Sequence, residues 1–221
     1  MLVIYKILKK VLPNWFYIYL QNYKRLLTLP RDIRKIVKSL SKDDVCLDFG
    51  ANVGIYSQLF AKYESKVYSF EPDPVPFKLL YEKSQKFKNI YPIMKAVGTS
   101  NTSGKLYLDR DYKQDELFYS EHNSLVKEKD NVGESYIDVE ILDIAEWLKN
   151  FDKIKFIKMD VEGYEVELVN HLIKSKMINK IEYIFLETHE KRIFGLNKKI
   201  NVLKQEIKRL AIEDKFYWNW P

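Results

Sequence analysis

Asp48-Phe49-Gly50-Ala51-Asn52-Val53-Gly54 closes a short apolar run, Val45-Cys46-Leu47, and opens into the helix-like Ile55-Tyr56-Ser57-Gln58-Leu59-Phe60. Strand, acid, glycine-bearing turn and helix, in that order, form a nucleotide-binding corner of an α/β fold. The spacing narrows the ligand. A dinucleotide turn reads G-x-G-x-x-G, so that a pyrophosphate can settle on the helix N-terminus. Here the pattern is D-x-G-x-x-x-G, with a carboxylate where a phosphate site would want none. A carboxylate at that point suits a cationic amino group, which S-adenosylmethionine carries. Gly50 and Gly54 allow a sharp turn and close backbone approach.

Lys66-Val67-Tyr68-Ser69-Phe70 is rich in β-formers and ends at Glu71-Pro72-Asp73-Pro74. An acid at the tip of the second strand of a βαβ unit is placed to accept hydrogen bonds from both ribose hydroxyls. NAD uses a similar acid, so the first turn discriminates between the two ligands and favours adenosylmethionine.

At 221 residues one domain is the default, and such a chain buries roughly 70% of its unfolded surface. The single cysteine, Cys46, falls inside the first predicted strand and reads as a small buried apolar residue in a reducing compartment. Residues 1–42 carry ten Lys or Arg against Asp32 alone, so a net charge of +6 for the whole leaves residues 43–221 at −3. The positive charge therefore belongs to an N-terminal extension, and no direct nucleic-acid contact is expected of the body. The longest early apolar run, Trp15 to Leu20, is six residues, far below the ~18 needed for a span, and no signal-peptide pattern is seen. The expected location is cytoplasmic, with peripheral contact at the inner membrane face through residues 1–30 as one role for the basic amphipathic stripes there. The other is that residues 1–42 form helices capping a domain of residues 43–221.

From Val45 strands and helices alternate as in a doubly wound, mostly parallel sheet. Strand three is expected over Ile90–Met94, running on into Ala96-Val97-Gly98. Lys105–Leu108 and Tyr136–Ile141 should pair as an inserted antiparallel ribbon. Asp143-x-x-Glu146 reads as a capping box. Strand four, Phe156–Asp160, is followed by a helix after Gly163, and strand five by Glu187-Thr188-His189-Glu190. A helix over about 198–213 leads to a last strand over Lys215–Trp220.

In open α/β sheets the ligand sits beyond the carboxyl ends of the strands. Those ends bring Asp48, Glu71, Lys95-Ala96, Asp160 and Glu187 to His189 together. With Asp48 and Glu71 assigned to the cofactor, Asp160, Glu162, Glu187 and His189 remain for the substrate. His189 is the natural imidazole base, or else a solvated loop histidine. Lys158, two residues before Asp160 on the same face of a buried strand, should pair with a carboxylate and orient it. Asp160, Glu162 and His189 would also suit magnesium or manganese, but the reading adopted is a site without metal. His171 reads as structural, and His122 could reach the substrate if its loop folds over.

Asp48–Gly54, Phe70-Glu71-Pro72-Asp73, Ala96-Val97-Gly98 and, above all, Lys158-Met159-Asp160-Val161-Glu162-Gly163-Tyr164-Glu165 resemble the FkbM family of S-adenosylmethionine-dependent methyltransferases, over about residues 44–190. The resemblance implies a class I methyltransferase (Rossmann-like) fold, with Asp48, Gly50, Asn52, Gly54 and Glu71 on the cofactor. Ala51, Tyr56, Ser57, Pro72, Ala96, Val97 and Asp160 complete the expected cofactor set. Asp160 and Glu162 stand at the active centre, with His189 and Lys158 beside them. It also implies O-methylation of a hydroxyl or carboxyl on a sugar, glycan precursor or small metabolite. Tyr107, Tyr112, Tyr119 and Tyr136 of the insert could stack on sugar faces. Lys83 stands where the family usually has asparagine. An RNA methyltransferase, or a non-catalytic membrane- or partner-binding module on the same scaffold, are the alternatives; the oligomeric state is left open.

Overall fold

The structure, a computed structural model, describes residues 27–218 and Trp220. Residues 1–26 of the extension, with Trp15, lie outside the described residues. Beyond them the extension forms α1 (Arg31–Lys38), whose Ile33 and Val37 are fully buried. There follow β1 (Val45–Phe49), α2 (Ile55–Ala61), β2 (Lys66–Phe70), α3 (Pro74–Ser84) and β3 (Ile90–Ile93). An insert then contains β4 (Ala96–Gly98), β5 (Thr102–Asp109), the short α4 (Glu116–Tyr119) and β6 (Val132–Asp143). The chain returns through α5 (Ile144–Trp147), β7 (Ile154–Met159), α6 (Glu165–Lys174), β8 (Ile181–Leu186), α7 (Leu196–Arg209) and β9 (Phe216–Tyr217).

Six strands form a sheet in the order β3-β2-β1-β7-β8-β9, with every pairing parallel. Its strands are apolar on both faces because helices cover both. Leu47, Phe49, Ile157, Met159, Ile184 and Leu186 pack with α5, α6 and α7, whereas Cys46, Val67, Phe156 and Phe185 pack with α1 and α2. Cys46 is fully buried, and burial pushes its thiol well above the ordinary value, as befits an inert packing residue. The chain reverses direction across β1, so the switch point of the sheet lies between β1 and β7.

Parallel register also aligns polar residues. Asp48 sits beside Ser69 on β2 and beside Lys158 on β7, so three neighbouring strands present polar groups on one face near their carboxyl ends.

β4-β6-β5 form a second sheet. The antiparallel ribbon is as expected, with Lys105 opposite Asp138 and Tyr107 opposite Tyr136. Strand three does not continue into Ala96-Val97-Gly98. A tight turn, in which the Lys95 N–H donates to the Ile93 carbonyl, redirects the chain into the second sheet, where Gly98 leaves room for Ile141. The last strand is also shorter than expected. Only Phe216 and Tyr217 pair with β8, because Trp220 turns away to stack on Phe185 at 5.5 Å and to contact Tyr56 at 4.6 Å. Asp143 caps α5, accepting from the Ala145 and Glu146 N–H groups, but the reciprocal half of the box is filled by Asn101, which accepts from the Asp143 N–H. Among the described residues no helix is long and apolar enough to cross a membrane.

Candidate active site

A cavity of about 380 Å³ opens at the carboxyl ends of β1, β2, β7 and β8. One wall is the β1–α2 turn. Gly50 has φ +70°, and a Cβ there would lie 1.9 Å from the Asp160 carbonyl oxygen, so only glycine lets the two strand tips meet. Asn52, also at positive φ, donates its N–H to Glu71 Oε2 (2.8 Å) and its side-chain amide to Ser120 Oγ (3.1 Å). Glu71 accepts a second bond from the Asp73 N–H at 2.8 Å, and burial pushes its carboxyl up to about 8. Each Glu71 oxygen keeps a lone pair beyond its backbone bond, which is what a ribose diol would require of it.

The Lys158–Glu165 motif assigns a separate task to each of its charged residues. Lys158 is almost wholly buried and donates to the carbonyls of Gly50 (2.7 Å) and Phe49 (3.2 Å), with Asp48 Oδ1 at 3.3 Å and Asp160 Oδ2 at 3.4 Å. Burial works against its charge, but Asp160 and Asp48 outweigh that and hold the ammonium above its ordinary value. It is a fixed cation that ties β1 to β7. Glu165 folds back to accept from the Val161 and Gly163 N–H groups and from His189 Nδ1 (3.3 Å), shaping the loop before α6. Gly163 (φ +111°) leaves space that Ile193 fills.

Asp160 faces the cavity. Burial raises its carboxyl above the usual carboxylate value, with Lys158 pulling the other way, and its Oδ1 is enclosed without a hydrogen-bond partner. Glu162 (φ +56°) pairs with Lys129 at 2.5 Å and with His189 Nε2 at 3.1 Å, and despite burial these cations hold its carboxyl below the usual range.

Several expectations need correction. Asp48 does not offer its carboxylate to the cavity: it is fully buried, accepting from Ser57 Oγ (2.6 Å) and facing Lys158, with Ser69 donating to Ser57 behind it. Gly54 and Ser57 stand behind the wall with it, Gly54 lying against Leu80, where a Cβ would be 2.5 Å from Cδ1. The other cofactor candidates, Gly50, Ala51, Asn52, Tyr56, Glu71, Pro72, Ala96, Val97 and Asp160, line the cavity. His189 is no base at neutral pH. Burial opposes its charge, yet hydrogen bonds to Glu162 and Glu165 push it up to about 10, leaving an imidazolium with both nitrogens engaged. The insert tyrosines do not line the cavity: Tyr107 and Tyr136 face each other, Tyr119 lies on Phe118, and the buried Tyr112 hydroxyl donates to Asp73. His171 is structural, at 2.7 Å from Asp143, whereas His122 does line the cavity. Lys83 donates to the Val53 carbonyl and so braces the glycine turn.

Lys129 and Arg192 are among the site's residues not singled out from the sequence. Lys129, buried in the insert, bonds both Glu162 and the His122 carbonyl. Its spacing from Glu162 carries no signal, because the pairing exists only once the insert folds over β7. Arg192 lines the mouth, 3.6 Å from Asp130. Donor atoms of Asp160, Glu162 and His189 lie within 4.8 Å of one another. Their charge is already met by Lys129, Lys158 and the imidazolium itself, so a divalent ion would have to displace a buried ammonium.

A parallel sheet switching direction at β1, with a glycine turn after β1, an acid after β2 and an acidic loop after β7, defines a class I methyltransferase domain. The chain belongs to the FkbM methyltransferase family, whose domain (methyltransferase FkbM domain) matches residues 48–209. It is 34% identical over 100 residues to an uncharacterized protein of Methanocaldococcus jannaschii, across 44% of this chain and 38% of that one. It is 23% identical over 158 residues to the hexuronic acid methyltransferase AglP of Haloferax volcanii, across 71% of this chain and 61% of that one. The chain thus spans less than two thirds of the length of either relative. Among solved structures it overlaps SMU.1697c of Streptococcus mutans, in complex with SAH (TM-score 0.44, 13% identity, 83% and 84% of the two chains). It also overlaps an rRNA methylase from Streptococcus thermophilus (TM-score 0.40, 12% identity, 81% of each chain).

Proposed function

We propose that the chain transfers a methyl group from S-adenosylmethionine to a hydroxyl or carboxyl of a sugar, glycan precursor or small metabolite. The observation that carries this is the division of one cavity into two kinds of wall. Glu71, Asn52 and the Gly50-Ala51 backbone, with Ala96 and Val97, make a side suited to an adenosyl group; Asp160, Glu162, Glu187, His189 and Arg192 make a polar side suited to a hydroxylated acceptor. Kinship with a hexuronic acid methyltransferase supports a sugar acceptor. When bound, the cofactor supplies a methyl carbon made electrophilic by its sulfonium. The protein's part is to hold and align. Glu71 would accept from the ribose hydroxyls and Asp160 would supply negative charge toward the sulfonium, while Lys158 keeps Asp160 and the glycine turn in fixed relation. Glu162 and His189 form a rigid charged floor for the acceptor. We assign residues 43–221 to this domain and 1–42 to an N-terminal extension, of which α1 buries Ile33 and Val37 against the domain.

Calorimetric titration with S-adenosylhomocysteine, with NAD as control, tests the cofactor. Micromolar binding of the first and none of the second is expected, with Glu71→Ala weakening it at least tenfold. Transfer of labelled methyl from S-adenosylmethionine to p-nitrophenyl glycosides and glucuronides tests the acceptor. Transfer to RNA alone, abolished by modest salt, would replace the sugar reading with the RNA one.

A further inference from the structure

Methylation of an alcohol needs somewhere for the hydroxyl proton to go, and most acids and bases of this cavity are already engaged. His189 is a cation bonded on both nitrogens, Glu162 holds Lys129 and His189, Asp160 faces Lys158, and Glu71 accepts two backbone N–H groups. Glu121 stands exposed at the rim. Glu187 differs from all of these. It lines the cavity at the tip of β8, half-buried, and among the described residues its carboxylate has no hydrogen bond or ion pair within 4.0 Å. Its own N–H bonds the Met159 carbonyl, which sets its backbone beside that of Asp160 at the neighbouring strand tip.

We propose that Glu187 is the general base that takes the proton of the acceptor hydroxyl. This rests on the methyltransferase reading above. The hydroxyl proton passes to a Glu187 carboxylate oxygen while an oxygen lone pair forms the bond to the sulfonium methyl. The pair of the breaking carbon–sulfur bond stays on sulfur as a neutral thioether, and Glu187 then releases its proton to water. The charged groups around Glu187 are Lys158 of β7, Asp160 just beyond its end, Glu162 of the following turn and His189 of its own loop. Burial, then the Asp160 charge, pushes its carboxyl up to about 7, which places it where a base is half available at neutral pH. Glu71, Asp160 and Glu162 each have a hydrogen-bond or ion-pair partner in place, which leaves Glu187 as the unpartnered acceptor.

The test is Glu187→Gln, a near-isosteric change that should fold and bind S-adenosylhomocysteine within a few-fold of wild type. Infrared difference titration of the protein with S-adenosylhomocysteine bound should show a carboxyl band titrating near pH 7, absent from the variant. Methyl transfer to the p-nitrophenyl glycoside turned over by the wild type should fall about 10²–10³-fold in kcat with little change in KM, and the acid limb of the wild-type pH profile should vanish. A wild type without that infrared band overturns the proposal even if no acceptor is found. So does a variant that keeps its turnover, or one whose acid limb persists while Asp160→Asn removes it. Absence of S-adenosylhomocysteine binding by the wild type would instead overturn the methyltransferase reading, and is scored by calorimetry before the variant is made.

Discussion

Lys129 shows how much one buried side chain can carry. Its ammonium is sealed from solvent, held by Glu162 and the His122 carbonyl, and removing it leaves the Glu162 charge with His189 alone. Breaking a buried pair from one side costs about 3–5 kcal/mol. Lys129→Met should therefore lower the urea-unfolding free energy by roughly 3 kcal/mol. Glu162→Gln in the same background should restore part of it, because the uncompensated charge is then gone. If Lys129→Met unfolds like the wild type, the pair is worth no more than a surface contact. The same residue shows what linear reading misses. Lys158 was readable, since its spacing from Asp160 and its place in an apolar strand both demand a partner. Lys129 sits in a polar stretch and looks like any solvated lysine until the insert is folded.

The insert is attached to the cofactor turn by side chains rather than by strand pairing. Asp73 caps α3 by accepting from the Val75 N–H, and the same carboxylate accepts from the Tyr112 hydroxyl and from the Asn123 amide. Asn52 adds a bond to Ser120. A segment lining the acceptor side is thereby tied to the ribose side. Tyr112→Phe leaves Asp73 with one fewer donor and should cost about 1–2 kcal/mol. Hydrogen exchange should report it locally, with amides of residues 110–124 exchanging faster and those of β1 and β7 unchanged. Faster exchange everywhere would mean that the tie supports the whole fold. At this scale the alternating pattern made the parallel sheet and the ribbon legible. Element ends were not: Ala96-Val97-Gly98 carries the same β-forming character in either sheet, and only contact with Ile141 and Leu142 decides which it joins.

Across the whole molecule the pH response should run opposite to that of a protein held by ordinary carboxylate pairs. Glu71, Glu187 and His189 all have folded values above their unfolded ones, at about 8, about 7 and about 10. The folded chain then binds more protons than the unfolded one, so stability falls with rising pH through these windows. For the two glutamates the loss runs from about 4.5 to their raised values, and for His189 from about 6.5 to about 10. Urea-unfolding free energies measured between pH 6 and 9 should decline, and the slope should flatten in Glu71→Gln. A rising curve would show that these groups are less enclosed than the structure has them.

The two rims of the main sheet have a different kind of consequence. One rim is β3, where Pro92 removes a donor from the ladder, and the other is β9, two residues long before the chain turns off with Trp220. A bare rim invites another chain to extend the ladder, and proteins blunt it with prolines or very short strands. Within the described residues this sheet can barely recruit a neighbour, so an assembly that extended a ladder would have to start from the second sheet, and crowded nascent copies are guarded against sticking edge to edge through the main one.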